Sequence, residues 1–229
     1  MSGPRYPHQL RALVAVDCII FGFDGKELKL LLIHRGFEPE RGKWSLMGGF
    51  VQSKESLEDA AARILKQLTG LSGVYMEQLR AFGDPERDPV ERTISVAFYA
   101  LIDIHQYEQQ LSGDYKPEWF SLKKIPSLIF DHEAMVEAAK ATLRKKAAIQ
   151  PVLFELLPER FTLPVVQQLY ESVYEKEFDK RNFSRKVLSS GLLVRTDDKE
   201  KSNSKKGAYY HRLNKRKYRY QTFLNINPA

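Results

Sequence analysis

A glycine-rich segment, Gly42 to Val51, feeds directly into a helical stretch, Ser56 to Leu68, that stops at Gly70. Glycine accepts the left-handed backbone that closes a helix, so the C-terminal end of this one is set locally. Around this pair the chain reads as strands. Ala12 to Phe23 is a β-branched and aromatic run, Asp24-Gly25 supplies a turn, and Leu28 to Ile33 follows. Thr93 to Asp103 alternates through Ile94, Val96 and Phe98, and Trp119-Phe120 is a short apolar pair before Pro126. Asp131 is placed to cap a helix running through Glu133 to about Lys146. Strands interleaved with two helices predict an α/β body that ends near residue 145.

The character changes at Gln150-Pro151. Thr162 is expected to cap a helix with Pro164 in its first turn, where proline is tolerated, and Leu163, Val166, Leu169 and Val173 follow helical spacing. A second helix runs from Asp179 to Ser190-Gly191. Leu192 to Val194 then reads as a strand, 196–207 as a polar loop, and Ala208 to Leu213 as a returning strand. Helix, short turn, helix and hairpin is the order of a winged helix-turn-helix. The domains are therefore expected at 1–148, an α/β/α sandwich, and 149–229, an α+β winged helix-turn-helix.

Charge separates the same two parts. Residues 176–229 hold 15 Lys and Arg against 5 Asp and Glu, whereas residues 1–175 are net −3. An acidic body with a basic end is the outline of a nucleic-acid binder, or of a solvated tail. Cys18 is the one cysteine, which excludes a disulfide framework within one chain and suits a reducing compartment. The segment Leu13 to Phe23 is too short to span a bilayer and is interrupted by Asp17, so a cytoplasmic protein without membrane attachment is expected.

Gly49, Glu55, Arg63 and Gly70-Leu71 stand at the spacing of the Nudix signature, and Gly42-Lys43-Trp44-Ser45-Leu46-Met47-Gly48-Gly49-Phe50-Val51 resembles the entry to that motif. Leu128 to His132 is similar to a segment of one Nudix subgroup. In Nudix hydrolases three glutamates at i, i+3 and i+4 share one helix face and hold divalent cations that activate water. Here those positions are Ile64, Gln67 and Leu68. Glu58 and Asp59 lie on the same helix but well round from that face. Glu55 and Arg63 are expected to brace the helix start and its loop. No metal, cofactor or diphosphate hydrolysis is expected.

In helix 179–190, Phe183, Val187 and Leu188 fall on one side, and Arg181, Asn182, Arg185, Lys186 and Ser189 on the other. That stripe contains no acid, and its side chains suit phosphates and base edges. Lys199, Lys201, Lys205 and Lys206 in the following loop suit backbone contact. Leu156 to Leu163 and Asp179 to Lys186 resemble the C-terminal domain of Nudix-related transcriptional regulators, a family with ADP-ribose-sensing regulators of NAD metabolism and arabinose regulators of the AraR type. The resemblance implies a homodimer on a double-stranded operator, with a small-molecule effector.

For the effector, Arg87-Asp88-Pro89-Val90-Glu91 resembles a loop that reads Arg-Asp-Pro-Arg-Gly in ADP-ribose-handling relatives. The second arginine is absent, so an uncharged pentose, L-arabinose, is expected to release a repressor of sugar-utilisation genes. ADP-ribose is the alternative, and hydrolysis of a nucleotide or RNA substrate a more distant one. Arg35, Lys43, Trp44, Arg87 and Asp88 are the expected effector-binding residues.

Overall fold

The computed structural model describes residues 9–107, 115–201 and 207–220. The first part is a mixed sheet between helices. Strand β1 (Leu13–Phe23) turns at Asp24-Gly25 into β2 (Leu28–His34). The Asp24 carboxylate accepts the backbone N–H groups of Lys26 and Glu27 at 2.9 and 2.8 Å, which fixes the turn. Then come β3 (Trp44–Ser45), β4 (Met47–Phe50), α1 (Leu57–Thr69), β5 (Tyr75–Phe82), β6 (Thr93–Asp103), the short α2 (Ile104–Tyr107), β7 (Glu118–Ser121) and α3 (His132–Ile149). The strand order is β3-β2-β1-β6-β5, with β4 also on β1 and β7 on β2.

Strand β1 is the spine. It runs parallel to β6 along its whole length, and its other edge is shared between β4 (Ala15 to Cys18) and β2 (Ile20 to Phe23). Its side chains alternate between two cores: Val16, Cys18 and Ile20 pack with Ala60, Ile64 and Leu65 of α1, while Ile19, Phe21 and Phe23 pack with Met135, Val136 and Leu143 of α3. Burial on both faces is why this strand is a continuous apolar run. The result is an α/β/α sandwich.

Helix α1 starts with a reciprocal cap, in which Ser56 Oγ accepts from the Asp59 N–H at 3.1 Å and Asp59 accepts from the Ser56 N–H at 3.4 Å. It ends at Gly70, whose φ of 80° is the left-handed value glycine accepts. Two expectations fail in detail. Asp131 makes no side-chain cap on α3, because its carboxylate is taken by Arg87. Thr162 likewise precedes its helix without a side-chain hydrogen bond.

The second part follows a 3₁₀ turn (Val152–Leu156): β8 (Phe161–Thr162), α4 (Leu163–Tyr174), α5 (Lys180–Ser189), β9 (Leu193–Glu200), β10 (Ala208–Leu213) and α6 (Lys215–Tyr220). The strands form a separate sheet in the order β8-β10-β9. Strand β9 carries pairing as far as Glu200, into the stretch expected to be loop. Helix α5 is capped by the Asp179 carboxylate on the Asn182 N–H at 2.8 Å. It buries Phe183 against Tyr170 and Phe178, with ring centroids 5.4 and 5.6 Å away. Among the described residues no helix is long and apolar enough to cross a membrane.

No hydrophobic seam separates the two parts. One cluster runs from Ile19 and Phe21 through Leu143, Ala147 and Leu153 to Val166, Tyr170 and Phe183. Polar contacts close its edge. The Leu28 N–H donates to Ser172 Oγ at 2.7 Å, Arg144 Nε to the Val173 carbonyl at 2.7 Å, and the Tyr174 hydroxyl to the Arg144 carbonyl at 2.7 Å. Leu153 is fully buried at this junction. Leu153→Ala should cost about 2–5 kcal/mol as a filled volume becomes a cavity. Calorimetry should show a single transition moved to lower temperature, and two separate transitions would contradict the shared core.

Candidate functional site

A cavity of about 280 Å³ opens beside the place where β1 changes partner from β4 to β2. Its deep side is made of buried charge. Arg87, 8 % exposed, forks onto Asp131 with Nε–Oδ2 at 3.0 Å and a terminal nitrogen to Oδ1 at 2.8 Å. The same arginine lies 3.5 Å from Asp17 Oδ2. Burial opposes its charge, but the hydrogen bonds of Asp131 and the fields of Asp17, Asp131 and Asp88 outweigh this and hold the guanidinium more firmly charged than usual. Ser95 Oγ donates to Asp17 Oδ2 at 2.6 Å. His132 accepts the Leu46 N–H at Nδ1, 3.2 Å away, so its proton sits on Nε2. Burial pushes the ring's pKa below the ordinary 6.5, against the pull of Asp17 and Asp131.

At the mouth the Arg35 guanidinium lies 4.1 Å from the Phe37 ring centroid and 5.2 Å from that of Phe130. Its Nε donates to the carbonyls of Pro39, 2.6 Å, and Phe37, 3.2 Å. Its two terminal nitrogens have no hydrogen bond among the described residues, which leaves a half-buried cation facing the cavity. Burial lowers its pKa, while Asp88 and Asp17 act in the opposite direction.

Arg35, Arg87 and Asp88, expected from the sequence, all line the cavity. Asp88 also holds its own loop, accepting from the Val90 N–H at 3.0 Å and from Thr93 Oγ1 at 3.3 Å. Lys43 and Trp44 stand outside the lining: Lys43 is exposed and pairs with Glu40, and Trp44 packs on His34 and Phe120. Asp17, His132, Phe37 and Phe130 were not anticipated. The available signal was Asp17 itself, a carboxylate inside an otherwise apolar strand.

The positions that would carry ion-binding glutamates also border the cavity. Ile64 is buried, and its Cδ1 would lie 2.8 Å from a Cβ placed on Gly49, so the isoleucine fills the space over the glycine. Gln67 is exposed and Leu68 half-buried. Glu55 takes Arg63 Nε at 2.9 Å, a terminal nitrogen at 2.6 Å, and the Gln52 N–H at 2.7 Å. Arg63 and that N–H lower its pKa to about 2. It braces the loop before α1. Among the described residues no cluster of three or more His, Cys, Asp or Glu side chains could hold a metal ion.

The second surface is α5. Arg181, Asn182, Arg185, Lys186 and Ser189 are exposed, while Phe183 and Val187 are buried. Leu188, expected on the inner side, is 47 % exposed, because the bed formed by α4 is narrower than the apolar arc of the helix. Arg185 donates to Asn182 Oδ1 at 2.9 Å, so the two polar groups stand together on the outer face. In the hairpin, Arg195 and Lys199 lie over the Tyr209 ring at 4.5 and 4.3 Å. Lys205 and Lys206 fall outside the described residues.

Comparison with known proteins matches residues 11–145 to the NUDIX domain and residues 153–213 to the NrtR DNA-binding winged helix domain. An Acinetobacter baylyi protein, the ADPR responsive transcriptional repressor NtrR, is 32 % identical over 202 residues, 86 % of this chain and 81 % of that protein. The crystal structure of Shewanella oneidensis NrtR with a 27mer DNA superposes with a TM-score of 0.81 at 30 % identity, covering 91 % of this chain and 97 % of the other. The NUDIX domain of the same Shewanella protein in complex with ADP ribose gives 0.52 at 30 % identity, covering 62 % and 99 %.

These findings correct the expectation of an arabinose-released repressor: the relatives matching both halves are named for ADP-ribose and DNA. The physical error lay in counting cations from one loop. Val90 and Glu91 do remove charge from that loop, but Arg35, arriving on the end of β2, faces the same cavity.

A folded-state pKa below 6.5 means His132 stabilises the fold as a neutral ring above that pH, and the contribution is lost as the pH falls through the lowered value. Imidazole nitrogen shifts in NMR should show His132 as the neutral Nε2–H tautomer at pH 6.5. A charged ring there would contradict the buried arrangement.

Proposed function

Because the chain belongs to the Nudix family and joins that domain to an NrtR DNA-binding winged helix domain, we propose that it is a transcriptional repressor whose hold on an operator is released by ADP-ribose. The observation that carries the reading is the presence, on one continuous core, of a cavity lined by a guanidinium whose terminal nitrogens make no hydrogen bond among the described residues, and of an exposed helix stripe without acids.

Each part has a chemical role. Arg35 offers its terminal nitrogens to a diphosphate, and the rings of Phe37 and Phe130 offer faces to an adenine. Ile64 and Leu68, standing where carboxylates would hold ions, leave the diphosphate bound but not hydrolysed. Binding without turnover suits a signal, since the ligand persists as long as its concentration does. On the other surface Arg181, Asn182, Arg185, Lys186 and Ser189 enter the major groove of double-stranded DNA, and Lys199 and Lys201, with Lys205 and Lys206 beyond the described residues, neutralise phosphates. A homodimer would present two such helices to the halves of a near-palindromic operator, in the cytoplasm where the DNA is.

Helix α3 supplies the coupling. His132 at its start lines the cavity and Asp131, just before it, holds Arg87 of the lining, whereas Leu143, Arg144 and Ala147 at its far end pack against the winged helix. Its 18 residues reach about 27 Å. A ligand that shifts Arg87 or His132 therefore tilts a rod on which the DNA-binding part rests. By linkage, ADP-ribose must bind better to the arrangement that fits the operator badly.

Arg185→Ala should weaken operator binding by about 1–3 kcal/mol and relax selectivity at one base pair. Gel shifts at fixed salt on operator and random duplexes check this, and an equal loss on both would make Arg185 a phosphate contact. Incubated with magnesium and ADP-ribose, the wild-type protein should release no AMP by chromatography. Sustained turnover would refute the reading of Ile64, Gln67 and Leu68.

A further inference from the structure

One acidic residue of the cavity lining keeps free hydrogen-bond accepting capacity. Asp17 is 6 % exposed, and its Oδ2 is held by Ser95 at 2.6 Å and lies 3.5 Å from Arg87. Its Oδ1 has no hydrogen bond among the described residues, and His132 Nε2 lies 3.6 Å from it. Directly across the strand pair stands Gly48, where a Cβ would overlap Oδ1. The glycine thus keeps an open line between the carboxylate oxygen and the cavity, and both residues line it. An acceptor oxygen that is open to the cavity and makes no hydrogen bond within the protein is free to take a donor from a ligand.

We infer that Asp17 is a specificity-determining residue, whose Oδ1 accepts the hydroxyls of the terminal ribose of ADP-ribose. The inference rests on the effector reading above. Order along the cavity selects the ribose. Aromatic rings, Phe37, Phe130 and Tyr115, border the mouth, while around Asp17 the lining of Ala15, Ser45, Gly48 and Thr93 is small, and the one ring there, His132, is 3 % exposed and offers little face to stack a base. Arg35 lies over the rings and lines the same cavity as Asp17. Rings, guanidinium and carboxylate follow one another as do base, diphosphate and ribose. A phosphate cannot be the group at the deep end, because it would meet Asp17 as a like charge. Neutral hydroxyls are donors without that penalty.

The test is calorimetric titration of the full chain with ADP-ribose, ADP and inosine diphosphate ribose. Wild type should bind ADP-ribose and its inosine analogue alike, and ADP roughly ten- to hundredfold more weakly, the size of hydrogen bonds to a charged acceptor. Asp17→Asn should lose about tenfold on ADP-ribose and nothing on ADP, since a neutral amide is the weaker acceptor. Equal wild-type affinity for ADP and ADP-ribose would overturn the assignment, and so would a loss confined to the inosine analogue, which would mean the carboxylate reads the adenine amine. Both results need only the wild-type protein, so a poorly folding variant leaves the inference open to refutation. Wild type with no affinity for ADP-ribose would overturn the effector reading itself.

Discussion

The structure depends on β1 being covered on both faces. One side of this strand packs on α1 and the other on α3, and the second side continues without interruption into the winged helix. A sheet exposed on the α3 face could not support that continuity, because the buried residues of the winged helix join the cluster that covers it. The shared core also gives the molecule its mechanical character. The cavity-bearing part and α4 are joined by packed side chains, and packed interfaces tend to switch between discrete arrangements.

Against this apolar background the charged floor is an expensive construction. Asp17, Arg87 and Asp131 are drawn from β1, from the loop before β6 and from the residue preceding α3. Burying such groups is tolerated when each charge meets another at good geometry, and breaking one partner leaves the rest uncompensated. For stability alone a hydrophobic plug of equal volume would serve as well or better. The ionic floor therefore fits the proposed ligand recognition, and it lies against the first turn of α3.

The cavity-facing side of α1 is built the other way. Ile64 belongs to the core of that helix and packs close over Gly49, so this edge gains from apolar burial. Glu55 and Arg63 hold the geometry of the loop before the helix.

Much of this was legible in the linear chain, because it rests on short-range rules. Gly70 stops α1, Asp24-Gly25 turns the first hairpin, and the acid-free stripe of α5 follows from helical period alone. The identity of the ligand was not legible, and the local loop misled: Val90 and Glu91 suggested a neutral effector, while Arg35 came from a strand some fifty residues earlier. The same holds for Asp131, a cap by position but an ion-pair partner in fact. Sequence by itself determined the elements, the apolar residues Ile64 and Leu68 on the helix after the glycine-rich segment, and the cationic helix, since those are properties of neighbours along the chain. Only the tertiary structure decided which charges share the cavity and that Gly48 uncovers Asp17, since electrostatic contacts act across space between strands and loops that no local pattern relates.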